Sequence, residues 1–159
     1  MARWTGTWLS GPEVTLGELR NPDAWPGSRL GLPREGSGAV ASFSARAAAF
    51  AIDVVASALV AGLVNVWVHD PSGAQRQLAA YTVIALEHVL LVALTGQTLG
   101  MRMVGLKVVR LKDPTRVPGL LAALIRTVPL LLSVGLAAFF TRDGRGLHDL
   151  AAGCVVVRD

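Results

Sequence analysis

Residues 47–68 read AAAFAIDVVASALVAGLVNVWV, and this stretch decides the fold. It has roughly the 20 apolar residues that a bilayer core requires, with only Asp53 and Asn65 as strongly polar interruptions. Of the 159 residues in the chain, 52% are hydrophobic and 16% are charged, which is more apolar surface than a soluble domain of this size can bury. The sequence therefore predicts an all-α membrane protein whose first span is this stretch.

Two further apolar stretches follow along the chain. Residues 78–95 are predicted to form the second span, after a short polar link that contains Pro71 and Gly73. Residues 118–140 are the third stretch, and Pro129 lies inside it. This third stretch is predicted either to cross the membrane as one full span or to form a re-entrant helix bent at Pro129. The sequence thus predicts about three transmembrane helices.

Residues 1–44 differ in composition from the rest of the chain. They are rich in Gly, Pro and Trp and lack helical or strand periodicity, so they are predicted to form a polar, turn-rich extension ahead of a transmembrane domain at 45–159. The N-terminus has no short apolar run of the kind that a cleaved signal peptide needs. We therefore expect the first span itself to direct insertion.

Basic residues in the short links predict the orientation. The link at 96–117 carries five of them, Arg102, Lys107, Arg110, Lys112 and Arg116, whereas the link at 69–77 carries only Arg76. Basic links stay in the cytoplasm, which also makes the N-terminus cytoplasmic. The C-terminal tail is external if the third stretch crosses fully, and cytoplasmic if it is re-entrant.

The segments 96–112 and 144–158 resemble each other. Aligning Gly96–Arg110 with Gly144–Arg158 matches a Gly, a Leu, a second Gly and the closing Val and Arg residues at the same offsets. The first segment has the spacing of a short amphipathic helix followed by a β-branched strand. If the segments are structural counterparts, their ends pair as a small ribbon, which requires both on one face of the membrane.

Several charged residues lie inside or beside the apolar stretches. Arg46 and Asp53 are two helical turns apart, too far to bond each other directly. A carboxylate at that depth needs a partner, and we predict that Arg126 is the partner of Asp53. Glu87 and His88 lie deeper, where they join the pair through water or bind a proton or cation alternately. The alternative is that these charges form a neutralised cluster that only fixes how the helices assemble.

Other chemistries have little support in the sequence. His148 and Asp149 are adjacent, but no second ligand shares a helical spacing with them, so no metal site is expected; Asp149 is predicted to accept hydrogen bonds from backbone amides or from Arg145. Cys154 is the only cysteine, which excludes an internal disulfide. No nucleophile elbow, paired-carboxylate cleft or nucleotide fingerprint is present, so neither an enzyme, a cofactor nor a nucleic-acid partner is expected.

Three segments together resemble the RDD family of small bacterial membrane proteins, named for one arginine and two aspartates. The first, RAAAFAID at 46–53, is similar to the opening arginine and first aspartate of that family. The second, GQTLG at 96–100 with GLKVV at 105–109, resembles its loop motif, and GRGLHD at 144–149 resembles its closing motif with the second aspartate. The loop residues concerned are Gly96, Gln97, Thr98, Gly100 and Gly105.

This resemblance implies a location and suggests a role. It implies a multi-pass protein of the bacterial plasma membrane, in a family for which transport-related roles are proposed, with sodium–proton exchange suggested for some members. The first hypothesis is therefore transport of a small cation or solute, with Asp53 as the carboxylate that binds the cation or proton and Arg126 tuning it. The second is a non-transporting accessory or assembly subunit. Expected partners are the lipid bilayer, a small cation, and either further copies of the chain or a larger membrane complex. The candidate functional charges are Arg46, Asp53, Glu87, Arg126 and Asp149.

Overall fold

The computed structural model describes residues 25–68, 71–133 and 145–159. Within these ranges the protein is mostly helical and carries a small antiparallel sheet. The helices are α1 (Phe43–Val66), α2 (Gly73–Thr95), α3 (Leu99–Val104), α4 (Gly119–Ser133) and α5 (Leu147–Ala151), and the strands are β1 (Leu106–Arg110) and β2 (Cys154–Arg158). A short 3-10 turn, Ser28–Leu30, precedes them.

Helices α1 and α2 are both long and apolar enough to cross a membrane, with mean hydropathies of 2.2 and 1.9. Only 22% of each apolar window is buried inside the protein. Large side chains such as Leu59, Leu63 and Leu94 are 67–72% exposed, which is costly in water but natural against lipid tails. The architecture therefore has two candidate membrane-spanning helices, and the predicted helical membrane class agrees with it.

Polar caps extend both helices beyond the predicted spans of 47–68 and 78–95. Ser42 precedes α1 and accepts a hydrogen bond from the backbone N–H of Ala45 at 3.3 Å. Ser72 and Gln75 form a reciprocal capping box at the start of α2, in which the side-chain oxygen of each residue accepts from the backbone N–H of the other. The helices therefore begin at these capping residues, several positions before the apolar runs.

The two similar segments are structural counterparts. Each consists of a short helix, a glycine with positive φ (71° at Gly105 and 64° at Gly153) and a five-residue strand. Strands β1 and β2 pair antiparallel, with Val108 opposite Val156. The predicted ribbon is thus confirmed, and both strands lie side by side at one end of the helices.

Residues 38–41 add a third strand-like segment to the free edge of β2. The N–H of Gly38 donates to the carbonyl of Arg158 at 2.9 Å, and the N–H of Ala41 donates to the carbonyl of Val156 at 3.0 Å. This edge is otherwise an unpaired row of donors and acceptors. From residue 25 onward, part of the segment predicted as an extension therefore packs onto the sheet.

The sheet separates two apolar layers because successive side chains of a strand face opposite sides. Its inner side packs against the helices, and its outer side against the segment before α1. The inner layer contains Leu106, Val108, Cys154 and Val156 with Ala49, Val92, Met101, Ala122 and Ala123. The outer layer contains Val109, Val155 and Val157 with Leu30, Leu32, Val40 and Leu111.

Helix α4 packs against α2 and continues through Pro129 to Ser133. It coincides with the first part of the third predicted span, 118–140. Residues 134–144 lie outside the described ranges, and with them the choice between a full span and a re-entrant helix. The structure thus has a third, shorter apolar helix that lies beside α2 and α5.

Candidate functional site

Asp53 is held by the turn that joins α2 to α3. Its side chain is 1% exposed. The hydroxyl of Thr98 donates to Oδ2 at 2.6 Å, and the backbone N–H of Gly100 donates to Oδ1 at 2.5 Å. Thr98 also caps α3 by accepting from the N–H of Met101 at 3.2 Å. Asp53 therefore binds the first turn of α3 and fastens this helix to α1.

The glycines of the GQTLG motif make this contact possible. Gly96 ends α2 with a φ of 75°, a conformation that costs a residue with a Cβ atom strain energy. Gly100 lies so close to the backbone carbonyl of Ala49 that a Cβ atom would collide with it. Gln97 donates to the carbonyl of Leu106 at 3.0 Å and so ties the turn to β1. The motif therefore positions the turn whose donors bind the carboxylate of Asp53.

Asp149 lies between two arginines from different helices. Its carboxylate accepts from Nε of Arg126 at 2.8 Å and from Nη1 of Arg46 at 3.1 Å. The backbone N–H of Gly146 also donates to it, at 3.4 Å. The side chain is fully buried, so the ion pairs are shielded from water and join α1, α4 and α5.

The charges around Asp149 outweigh its burial. Burial by itself raises the pKa of the carboxyl, but the nearby charges of Arg126 and Arg46 and the ring of His148 hold the pKa of Asp149 below its ordinary value. Asp149 is therefore ionised at neutral pH, as both arginines require.

The predicted pair between Asp53 and Arg126 is wrong. Arg126 pairs with Asp149, while the described partners of Asp53 are Thr98, Gly100 and the ring of His88, whose Nε2 lies 3.7 Å away. The prediction failed because it placed Asp149 in a tail outside the bundle, whereas α5 returns against α4. A backbone amide does bind the Asp149 carboxylate as predicted, whereas Nη2 of Arg145 donates to the main-chain carbonyl of Asp149 at 3.3 Å.

Glu87 has a different environment from the two aspartates. Its Oε2 accepts a hydrogen bond from the hydroxyl of Ser57 at 2.7 Å. Its Oε1 is buried and receives no hydrogen bond from an N–H or O–H donor among the residues that the structure describes, while the carboxyl group of Asp53 lies within interaction distance of the Glu87 carboxyl group. Next to it, Nδ1 of His88 lies 3.0 Å from the carbonyl of Ile84, to which a neutral ring can donate. Glu87 therefore retains free acceptor capacity inside the bundle.

A cavity of about 270 Å³ lies beside Ser57, lined mainly by residues of α1 and α2. Ser57 lines the cavity and donates to Glu87, so the hydroxyl connects the cavity to the carboxylate. Ser57 follows Asp53 by four residues, so the two side chains lie on the same face of α1. The lining consists of Phe50, Val54, Ser57, Ala58, Gln77, Ala80, Tyr81, Ile84 and Leu131.

The described residues contain no group of three or more His, Cys, Asp and Glu side chains placed to hold a metal ion. His148, the residue considered for such a site, is buried beside Asp149, with Nε2 3.5 Å from Oδ1. Within the described ranges, then, the buried ionisable groups of the helices lie around Asp149 and around Asp53, and Glu87 next to Asp53 keeps one oxygen without an N–H or O–H donor.

His148 predicts a pH dependence of stability. Burial lowers its pKa to about 4, although Asp149 acts in the opposite direction. A histidine in the unfolded chain has a pKa of about 6.5, so the unfolded chain takes up the proton first as the pH falls. The free energy of unfolding should therefore decrease between pH 6.5 and pH 4, by roughly 3 kcal/mol from this group. Denaturant titrations in detergent micelles at several pH values measure this slope.

His148→Gln is the control for this prediction, because it removes the titrating ring while carboxylates elsewhere continue to titrate. The slope between pH 6.5 and 4 should be shallower in the variant. Asp149 adds little to this slope, because its pKa is below the ordinary value and its contribution to the free energy of unfolding is lost mainly in more acidic solution. Equal slopes in the two proteins would contradict a buried, neutral His148.

A family model described as the RDD family matches residues 40–153, which is most of the chain. No curated protein and no solved structure matches the sequence. The matched range contains Arg46, Asp53 and Asp149, the three charges expected from the resemblance, and both structural clusters built around them.

Proposed function

The chain belongs to the RDD family, and on that premise we propose that it is a multi-pass protein of the bacterial plasma membrane that moves a small cation or proton bound at Glu87. The observation that carries the proposal is the buried Oε1 of Glu87, which receives no hydrogen bond from an N–H or O–H donor among the described residues. Buried acceptors without partners are costly in a stable fold and cluster at functional sites. A bound proton or cation supplies what this oxygen lacks.

The other candidate carboxylates are less suited to this task. Asp53 accepts from a hydroxyl and a backbone N–H, and Asp149 is held by two guanidinium groups. A carrier group must exchange its ligand, and breaking these contacts would separate helices from each other. We therefore move the proposed binding role from Asp53 to Glu87, and assign Asp53 and Asp149 to assembly.

The paired strands bear on the proposed topology. Arg110 at the end of β1 lies opposite Cys154 at the start of β2, so the chain leaves the sheet and returns to it on the same side. With the basic 96–117 link in the cytoplasm, the N-terminus, the sheet and the C-terminal tail all lie there. This arrangement favours a third segment that enters and leaves by the cytoplasmic face.

Glu87→Gln is expected to abolish cation or proton flux while the protein still inserts and folds. The amide keeps the volume of the side chain and its hydrogen bond to Ser57, but it cannot take up and release a cation. Flux should be measured in proteoliposomes with imposed pH and sodium gradients, using protein that elutes as a single species. Wild-type flux that falls at least about tenfold in the variant, a difference of roughly 1.4 kcal/mol or more, supports the proposal.

Glu35→Gln is the matched control, because it makes the same chemical change at an exposed side chain before α1. It should transport like the wild type. Asp53→Asn should instead reduce the amount of folded protein, since the amide cannot accept from both Thr98 and Gly100 equally well. Unchanged flux in a folded Glu87→Gln protein would contradict the role of Glu87.

The second candidate is an accessory or assembly subunit. The observation that favours it is the pairing of Arg46, Asp53, Arg126 and Asp149 within the chain, which uses most of the buried charge for internal contacts. This reading predicts no flux from correctly inserted wild-type protein. It also predicts that the Glu87→Gln protein, like the wild type, shows no flux, and that the substitution changes which membrane proteins co-purify with the chain.

A further inference from the structure

A second cavity, of about 250 Å³, lies where the segment before α1 meets the start of that helix. It is separate from the cavity beside Ser57, with which it shares no lining residue. Its walls carry two arginines and a serine, and no acidic side chain belongs to them. The lining residues are Pro26, Arg34, Val40, Ala41, Ser42, Phe43 and Arg46.

The two arginines differ in how they are held. Arg46 is fixed, because Nη1 bonds Asp149 at 3.1 Å and Nη2 donates to the carbonyl of Val156 at 3.2 Å. Its Nε is buried and has no partner within the described part of the chain. Arg34 is exposed at the other side of the cavity. One guanidinium is therefore preorganised, and the second is free to close on a ligand.

The chemistry of these walls selects an anion. Arg34 can donate in the planar fork that suits the oxygens of phosphate, Arg46 has only its Nε left because both of its Nη atoms are bonded, and the hydroxyl of Ser42 adds a further donor. The first turn of α1 contains no acidic residue that would repel a negative ligand. The cavity is also at the start of a candidate membrane-spanning helix, which is the depth of lipid phosphates, and Phe43 beside it is 49% exposed.

We propose that the cavity between the pre-α1 segment and α1 is a binding site for a phosphate group, held by Arg34 and Arg46. The group comes from an anionic lipid headgroup or from free phosphate. Binding there would fasten the start of α1 and the outer side of the sheet to the membrane surface. This inference does not depend on transport through Glu87, because it concerns a different cavity.

The test uses the purified full-length protein in a neutral detergent and measures its thermal unfolding during titration with short-chain phosphatidylglycerol. The wild type should be stabilised in a saturable way. Arg34→Gln should weaken the apparent affinity by about tenfold or more, as expected for loss of one charge-assisted contact. Arg102→Gln is the matched control, because it removes the same charge from an exposed position that does not line the cavity.

Titration with inorganic phosphate distinguishes the two sources of the phosphate group. Short-chain phosphatidylcholine, which has no net charge, is the lipid control. Stabilisation by inorganic phosphate that Arg34→Gln weakens identifies a free anion, and stabilisation by phosphatidylglycerol alone identifies an anionic lipid. The proposal is overturned if neither phosphatidylglycerol nor inorganic phosphate stabilises the wild type. It is also overturned if Arg34→Gln and Arg102→Gln lose affinity equally, because binding would then depend on general surface charge.

Discussion

Asp149→Asn is expected to cost roughly 3–5 kcal/mol of folding free energy, because it leaves two buried guanidinium groups without their anion. Arg126 and Arg46 both depend on this one carboxylate, at 2.8 and 3.1 Å. Neither arginine can lose its proton to escape the penalty. The variant should therefore unfold at a much lower denaturant concentration in detergent micelles, and yield less protein as a single species.

Asp159→Asn is the matched control for this variant. Asp159 accepts from Nζ of Lys107 at 2.7 Å, but both side chains are exposed, so the change should cost at most about 1 kcal/mol. Adding Arg126→Gln to Asp149→Asn should recover part of the loss, since one unpaired charge is then removed. Equal stability of the Asp149→Asn and Asp159→Asn proteins would contradict the structural role of the buried ion pairs.

Gly100→Ala is expected to destabilise the protein by about 3 kcal/mol, from a change of only one methyl group. The added Cβ atom would collide with the backbone carbonyl of Ala49 and lie 2.9 Å from Oδ1 of Asp53. Backbone atoms cannot rotate aside as a flexible side chain can, so α3 must move away from α1. This movement would weaken both hydrogen bonds that Asp53 accepts from Thr98 and Gly100. Denaturant titration measures the loss.

Gly62→Ala provides the control, because Gly62 is in the same membrane helix as Asp53 and an added Cβ atom there meets no other group. Alanine is the better helix former, so this variant should be as stable as the wild type or more stable by up to about 1 kcal/mol. If both alanine variants behave alike, the close approach of α3 to α1 is not what Gly100 provides.

Local patterns explain why much of the fold was predictable. The apolar run at 47–68 and the next at 78–95 correspond to α1 and α2, since helix length and hydropathy are properties of neighbouring residues. The internal similarity between 96–110 and 144–158 predicted that the ends of the two segments pair as a small ribbon if the segments are counterparts, and Val108 does lie opposite Val156. Helix starts were less accurate, because capping by Ser42 and Ser72 lies outside the apolar pattern.

The candidate site was predictable in its membership but not in its pairing. Arg46, Asp53, Arg126 and Asp149 were all identified as candidate charges, and each is buried or nearly so in the structure. Their partners depend on how α5 folds back against α4, which no local spacing records. Local spacing could not predict the hydrogen bond between Ser57 and Glu87 either, because its donor and acceptor come from different helices.

The sequence by itself determined the membrane class, the two long helices and the repeated helix–strand unit, because hydrophobic length and short-range periodicity act within a few turns of one segment. Only the tertiary structure decided that Asp149 forms ion pairs with both Arg46 and Arg126. It also decided that Asp53 binds the turn at Thr98 and that one oxygen of Glu87 has no N–H or O–H donor among the described residues. The physical reason is that a buried charge pairs with whatever partner packing brings within about 4 Å, and packing joins residues that are distant in sequence.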